Sequence, residues 1–349
     1  MSSKVGSGGY GCVVRPVYPC HDVVLEEGQQ YVGKYYTTEI RKSLITAERE
    51  FTRRVLETDP DGQYSIVPIG SCKVPMDEMD LIQPVCGKKT LRRRQFISKF
   101  GGTELTYASA FVKSFERVRE VYINFINLFE GLALFNGADI YHYDIKQANI
   151  VMDDTFTCRF IDWGISEYDD LFWKRAYATD NYYPFDFVEA TFAVKYYDTF
   201  DYTRYEDLIS SVTTYAQRTE DRMKEKGIGK GKLAALANVL PTAEETTHAC
   251  LANVMYVASH VRASKFEMPI SELKRITKPD VYMLGFTLFR FSIDVIKSAQ
   301  CTPRMVRFIQ KFLNMVIKPM LSPYIKERST PEQALSNMRT FINAWVTAS

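Results

Sequence analysis

The stretch DVYMLGFTLFRFSIDVIKS, residues 280–298, is apolar on nearly every side when wound as a helix. Such a helix must be enclosed, so the chain has to supply enough other elements to surround it. With 349 residues it can, because that length buries a large core and divides more readily into two lobes than one. A hydrophobic fraction of 46% beside 25% charged residues suits a globular protein and excludes disorder as the main state.

The texture changes along the chain. Up to about residue 90 it is strand-rich, with a glycine turn at 6–11 and short apolar runs near 29–36, 64–74 and 79–85. One helix interrupts them: across KSLITAEREFTRRVLET, Leu44, Phe51 and Val55 share a stripe, and Glu48 falls on it too. A carboxylate facing inward needs a cationic partner. Glu50 fits that role less well, since Arg54 and Glu57 share its face. After residue 90, residues 114–138, 280–298, the run RMVRFIQKFLNMVIKPML and the run TPEQALSNMRTFINAWV all show helical periodicity. The expected class is α+β, a small strand-rich lobe followed by a larger helical one.

Lys and Arg total 44 against 42 Asp and Glu, so no whole-protein field recruits nucleic acid or an anionic membrane. The seven cysteines, at 12, 20, 72, 86, 158, 250 and 301, are odd in number and never spaced C-x-x-C. That pattern argues against a zinc ribbon or a disulfide framework and for a reducing compartment. The N-terminus lacks the apolar centre of a signal peptide, and no apolar run is long enough to span a bilayer. An intracellular protein without membrane contact is expected.

Four short patterns carry chemistry. GSGGYGCVV gives Gly6, Gly8 and Gly11, whose lack of a Cβ lets backbone N–H groups approach phosphate oxygens, although a glycine hairpin reads the same way. Lys34 follows in the next strand and is the natural partner for Glu48; its ordinary alternative is an edge-strand lysine. YHYDIKQANIVM places an acid, a cation and a carboxamide at Asp144, Lys146 and Asn149, where a polar turn before a buried strand is the plain alternative. IDWG follows, with Asp162 before a tryptophan and a glycine, a hard oxygen donor suited to Mg²⁺ or simply a tight turn.

Taken in order, Gly6-x-Gly8-x-x-Gly11-x-Val13, Lys34, Glu48, His142-x-Asp144-x-Lys146-x-x-Asn149 and Asp162-Trp163-Gly164 resemble the protein-kinase signature set. PDVYMLGFTLF resembles that family's buried helix opening on an aspartate, here Asp280, and MLSPYIKERSTPEQAL its late segment with an anchoring arginine, here Arg328. The resemblance covers about 1–185 and 275–345, and GSGGYGCVVRPVYPC is similar to kinases of large nucleocytoplasmic DNA viruses. It implies a bilobal fold, with an N-lobe over 1–87 and a C-lobe over 88–349. It also implies ATP and Mg²⁺ as cofactors, serine/threonine acceptors on protein substrates, and a host-cytoplasm or virion location.

By the same resemblance, Asp144 and Lys146 are catalytic beside Lys34 and Glu48. Gly6, Ser7, Gly8, Gly9, Tyr10, Gly11, Val13, Val32 and Lys34 bind the nucleotide. Gln83, Pro84 and Cys86 form the hinge against adenine, and Asn149 and Asp162 hold the metal. Departures remain. Tyr143 replaces the arginine that reads an activation-segment phosphate, so constitutive competence is expected. Val32 replaces an alanine; the Ala-Pro-Glu element keeps only Pro184, with Asp186 as the expected partner of Arg328. Nearly a hundred residues, about 187–275, form an insertion before Asp280. It carries Lys224, Lys226, Lys230 and Lys232, a site for an acidic partner or nucleic acid or, more often for such a run, a solvated turn, and Arg92, Arg93 and Arg94 invite the same readings. The competing functional reading is a scaffold of the same fold that binds partners and transfers nothing; a small-molecule phosphotransferase comes third.

Overall fold

The computed structural model describes residues 3–7, 11–20, 23–40, 42–87, 90–163, 202–263 and 270–346. Gly8, Gly9, Tyr10, Gly164, Pro184 and Asp186 lie outside the described residues, as does part of the 187–275 stretch. The chain is mixed α and β, with a small antiparallel sheet in its N-terminal region and a mostly helical remainder.

The sheet has five strands: β1 (Ser3–Ser7), β2 (Gly11–Arg15), β3 (Tyr31–Thr37), β4 (Gly70–Lys73) and β5 (Leu91–Lys99), in the order β1-β2-β3-β5-β4. Its register sorts the side chains into two faces, because residues directly opposite one another point the same way. Cys12, Tyr35, Gln95 and Cys72 form one cross-strand row, and Val13, Lys34, Phe96 and Ser71 form the adjacent row on the opposite face. Against the first face packs α2 (Met76–Cys86), through a cluster of Val14, Tyr35, Met79, Ile82 and Leu91. Against the second lies α1 (Lys42–Thr58).

Three expectations change here. Residues 79–85 are helix, not strand: Met79, Ile82 and Cys86 are the buried positions, at helical spacing, with Asp77 and Glu78 in the first turn. Pro84 is tolerated near the helix end, where it removes a single ladder bond. The strand-rich part does not stop near 87, since β5 is flanked by β3 and β4, so a division at 87/88 would cut the sheet. Arg92, Arg93 and Arg94 belong to this strand: Arg92 donates to the Thr38 and Ile40 carbonyls, Arg93 to the Val74 carbonyl and Arg94 to Ser71. Disulfides are the third change. Cys12 pairs with Cys86 and Cys20 with Cys72, each at a Cα separation of 5.8 Å. The partners are 74 and 52 residues apart in sequence, so local spacing gave no sign of them, and the cysteine argument for a reducing compartment falls. Cys158 and Cys301 are free and buried.

Beyond β5, the chain crosses Gly101 and Gly102 into β6 (Thr103–Glu104), the edge of a second sheet in which it pairs with β7 (Ile150–Met152) and β7 pairs with β8 (Cys158–Phe160). The helices α3 (Phe115–Asn124), α4 (Ile126–Gly137), α5 (Tyr202–Glu225), α6 (Ala243–Ala263), α7 (Ile270–Thr277), α8 (Pro279–Lys297), α9 (Pro303–Phe312) and α10 (Pro331–Val346) make up the remainder. As expected, α8 is enclosed: Leu284, Leu288, Phe289, Phe291 and Val295 have no exposed surface. The Tyr122 hydroxyl donates to Ser292 Oγ at 2.8 Å inside that core. Met223, Leu233, Leu236 and Val239 join the same cluster, so part of the 187–275 stretch is built into the main core. Among the described residues no helix is long and apolar enough to cross a membrane.

Candidate active site

Lys34 is the centre of the site. Extended backbone in β3 directs its side chain to the α1 face of the sheet, where its ammonium lies 2.9 Å from Glu48 Oε1 and 2.8 Å from Asp162 Oδ1. Glu48 is thus the inward carboxylate that the α1 stripe required, and Phe51 and Val55 of that stripe are buried. Glu50 instead pairs with Arg53 on the exposed side, as Glu57 does. The ammonium also stands 4.8 Å from the centre of the Tyr36 ring. Burial opposes its charge, but Asp162 and Glu48 outweigh that and hold its pKa well above the usual lysine range. Burial likewise pushes the Asp162 carboxyl up, and Lys34 more than reverses it, leaving the pKa below the usual carboxylate range. Asp162 keeps 44% of its side chain exposed, so an ion or ligand can reach it.

A second group is assembled on residues 142–149. Lys146 Nζ lies 2.9 and 2.7 Å from the two carboxylate oxygens of Asp144. The Asn149 amide donates to Asp144 Oδ2 at 2.8 Å and to its main-chain carbonyl at 2.9 Å. That fixes which way the carboxamide faces and leaves its oxygen as the atom for another partner. The two groups meet where the Ile161 N–H bonds the Asn149 carbonyl at 3.0 Å, one residue before Asp162.

This loop is held from below by Asp280, which is 1% exposed. Its Oδ2 accepts from the His142 N–H at 2.7 Å and Asn136 Nδ2 at 3.0 Å, and its Oδ1 from the Tyr143 N–H at 2.9 Å. Tyr143 has φ 58° and Asp162 φ 63°, a left-handed conformation that only surrounding bonds stabilise for such residues. His142 Nδ1 accepts from the Asp144 N–H, so its proton belongs on Nε2, which faces the Ile161 carbonyl at 2.9 Å. Thr287 of α8 donates to the Ile145 carbonyl at 3.0 Å. Trp163 packs between His142 and Phe135, with ring centres 4.5 and 4.8 Å away.

No protein-family model and no curated protein matches this chain. The geometry therefore carries the functional argument. Val13, directly opposite Lys34, and Val32, two residues before it, share its face. Gly6 and Gly11 flank the glycine turn, with Ser7 ending β1; a Cβ on Gly11 would lie 2.4 Å from the Tyr35 carbonyl oxygen. The β2–β3 pairing thus needs glycine at 11, where the two strands approach closely. Gln83, Pro84 and Cys86 are the exception. They lie in α2, Cys86 is bonded to Cys12, and Cys12 faces away from Lys34, so these three are not part of the site. The stretch leading from the sheet to the helical part is 98–104 instead, the continuation of the strand that carries Phe96 opposite Lys34.

Glu104, which sequence reasoning missed, belongs to that stretch. A Cβ on Gly6 would come within 3.2 Å of its Oε1, and burial raises its pKa above the usual range. Only strand pairing reveals it: Glu104 is opposite Val151, two residues beyond Asn149. Among the described residues no cluster of three His, Cys, Asp or Glu is placed to hold a metal alone. Mg²⁺ does not require one, since it takes one or two protein oxygens and completes its shell with phosphates and water. Asp162 and Asn149 fit that donor set. Arg328 is 2% exposed and donates to the Thr277 carbonyl at 2.8 Å.

Proposed function

We propose that this chain is a serine/threonine protein kinase that transfers the γ-phosphoryl of Mg-ATP to protein hydroxyl groups. The observation that supports it most is the Glu48–Lys34–Asp162 ion chain next to the Asp144–Lys146–Asn149 group. Phosphoryl transfer asks a protein for positioning and charge neutralisation more than for a covalent nucleophile, and these are the groups it needs. On this reading Lys34 binds the inner phosphates, held in place by Glu48. Asp144 aligns the acceptor hydroxyl and takes its proton, while Lys146 offsets charge on the moving group. Asp162 and Asn149 hold Mg²⁺, which supplies further neutralisation when bound. Val13 and Val32 provide an apolar wall for adenine, residues 98–102 replace 83–86 as its backbone edge, and Glu104 accepts from the ribose hydroxyls.

The test is incubation of the purified chain with labelled ATP, Mg²⁺ and generic acidic and basic proteins. Transfer to serine or threonine is expected, with Asp162→Asn reducing kcat by at least about a hundredfold while the melting temperature stays within a few degrees. Nucleotide binding without transfer would support the scaffold reading, and transfer undiminished in Asp162→Asn would remove the role given to that residue.

A further inference from the structure

The lysines at 224–232 divide once their surroundings are known. Lys224 pairs with Glu220, one turn back on α5, and Lys232 donates to the Cys301 carbonyl at 2.9 Å. Lys230 is exposed. Lys226 differs from these. The turn that carries it is fastened at both ends: its N–H bonds the Arg222 carbonyl, the Ile228 N–H bonds the Met223 carbonyl, and Met223 and Leu233 are buried in the main core. Lys226 is partly buried against α8, where Arg290, Asp294 and Lys297 are its charged neighbours. Positions 290, 294 and 297 are four and then three residues apart, so they form one stripe along that helix.

The stripe borders the catalytic loop. Gln147 Nε2 donates to Asp294 Oδ2 at 3.2 Å, and Gln147 directly follows Lys146. Arg290 and Lys297 flank Asp294 along that stripe and Lys226 is within electrostatic reach of all three, while none of Lys226, Arg290 and Lys297 is in a salt bridge among the described residues. Burial, then Arg290 and Lys297, lower the Lys226 pKa, with Asp294 only partly compensating, as expected where positive charge is in excess. Lys226 and Arg290 are partly buried and Lys297 is exposed, and an excess of positive charge of this kind is relieved when an anion binds.

We infer that Lys226, Arg290 and Lys297 form an anion-selecting subsite of the peptide groove, which favours protein substrates with an acidic side chain within about three residues of the acceptor hydroxyl. The range is set by the near edge of the stripe and by side-chain reach: Gln147, which bonds Asp294, is three residues from Asp144, a span of at most about 11 Å, and an extended substrate advances roughly 3.3 Å per residue while its own acidic side chain reaches on toward Arg290 and Lys297. This inference rests on the kinase reading above and adds a substrate class to it.

The test uses alanine-based serine peptides with Gln, Glu, phosphoserine or Lys at each position from three before to three after the acceptor, and reads kcat/KM as ratios within each protein. With the wild-type chain, Glu at one or more positions is preferred over Gln by about fivefold, since two exposed ion pairs each contribute about twofold. Phosphoserine at the same position shows whether the second charge adds to the carboxylate effect. Arg290→Gln and Lys226→Gln each bring the Glu-to-Gln ratio down to about twofold, and Arg290→Glu turns the preference toward Lys. The wild-type preference shrinks as salt rises from about 0.05 to about 0.5 M. Lys226 is in a turn, so its variant serves if Arg290 variants fail to fold. Equal rates for Gln and Glu peptides at every position, or ratios unchanged in both Gln variants, would overturn the subsite and leave the kinase reading standing. Absence of transfer to any peptide would overturn both.

Discussion

Replacing Asp280 by asparagine tests the support beneath residues 142–149. The carboxylate serves three donors, two on Oδ2 and one on Oδ1. An asparagine can place its single oxygen at the two-donor position, which turns its NH₂ toward the Tyr143 N–H and breaks that bond. Losing a hydrogen bond to a charged group costs about 1.5–3 kcal/mol, and the two remaining bonds lose their charge assistance. The left-handed Tyr143 then lacks one of the bonds that hold it. Together these give a destabilisation of about 3 kcal/mol, read as a drop of roughly 5 °C in melting temperature or as a shift in the urea midpoint at constant slope. Transfer measured well below the melting transition should fall as well, because Asp144 is the residue after Tyr143. A variant melting within about 1 °C of the wild type would refute the reasoning, since it would mean that the three bonds contribute almost nothing net.

Other outcomes follow from the same structure. Gly102 has φ +104°, and a Cβ there would lie 2.1 Å from the Met152 carbonyl oxygen, so Gly102→Ala should cost about 3 kcal/mol or more in a urea titration. Replacing both Cys12 and Cys86 by serine leaves the nested Cys20–Cys72 bridge closed, so the loop released runs only through residues 12–20 and 72–86, and stability should fall by about 3 kcal/mol in the chain-entropy account, checked by the same titration under non-reducing conditions. Asp153 accepts from Thr155, Thr157 and Arg159, and although burial raises its pKa these partners bring it below the usual carboxylate value. A depressed folded pKa means a contribution that is present above the unfolded pKa and lost as pH falls through the folded one. The melting difference between wild type and Asp153→Asn should therefore be largest near neutrality and close toward about pH 2.

What could be read from residues alone was whatever depends on local order. Lys34, Glu48, Asp144, Lys146, Asn149 and Asp162 were legible because each lies in a short pattern whose side chains answer one another's charge. The enclosed α8 was legible because its 19 residues are apolar on every side but the stripe of Arg290, Asp294 and Lys297. Residues 79–86 read as strand and hinge because IQPV looks extended in isolation, whereas the deciding signal is the spacing of Met79, Ile82 and Cys86 with acids ahead of them. Glu104, the disulfide pairs and the Lys226–Arg290–Lys297 group were illegible for a common reason: each joins positions that only the strand order or the packing of a distant turn brings together.

The bond from Cys12 to Cys86 has a mechanical implication. It fastens the first residues of β2, next to the glycine turn, to the far end of a helix on the other side of the sheet. That strand cannot lift alone; it and α2 must tilt as a single lever.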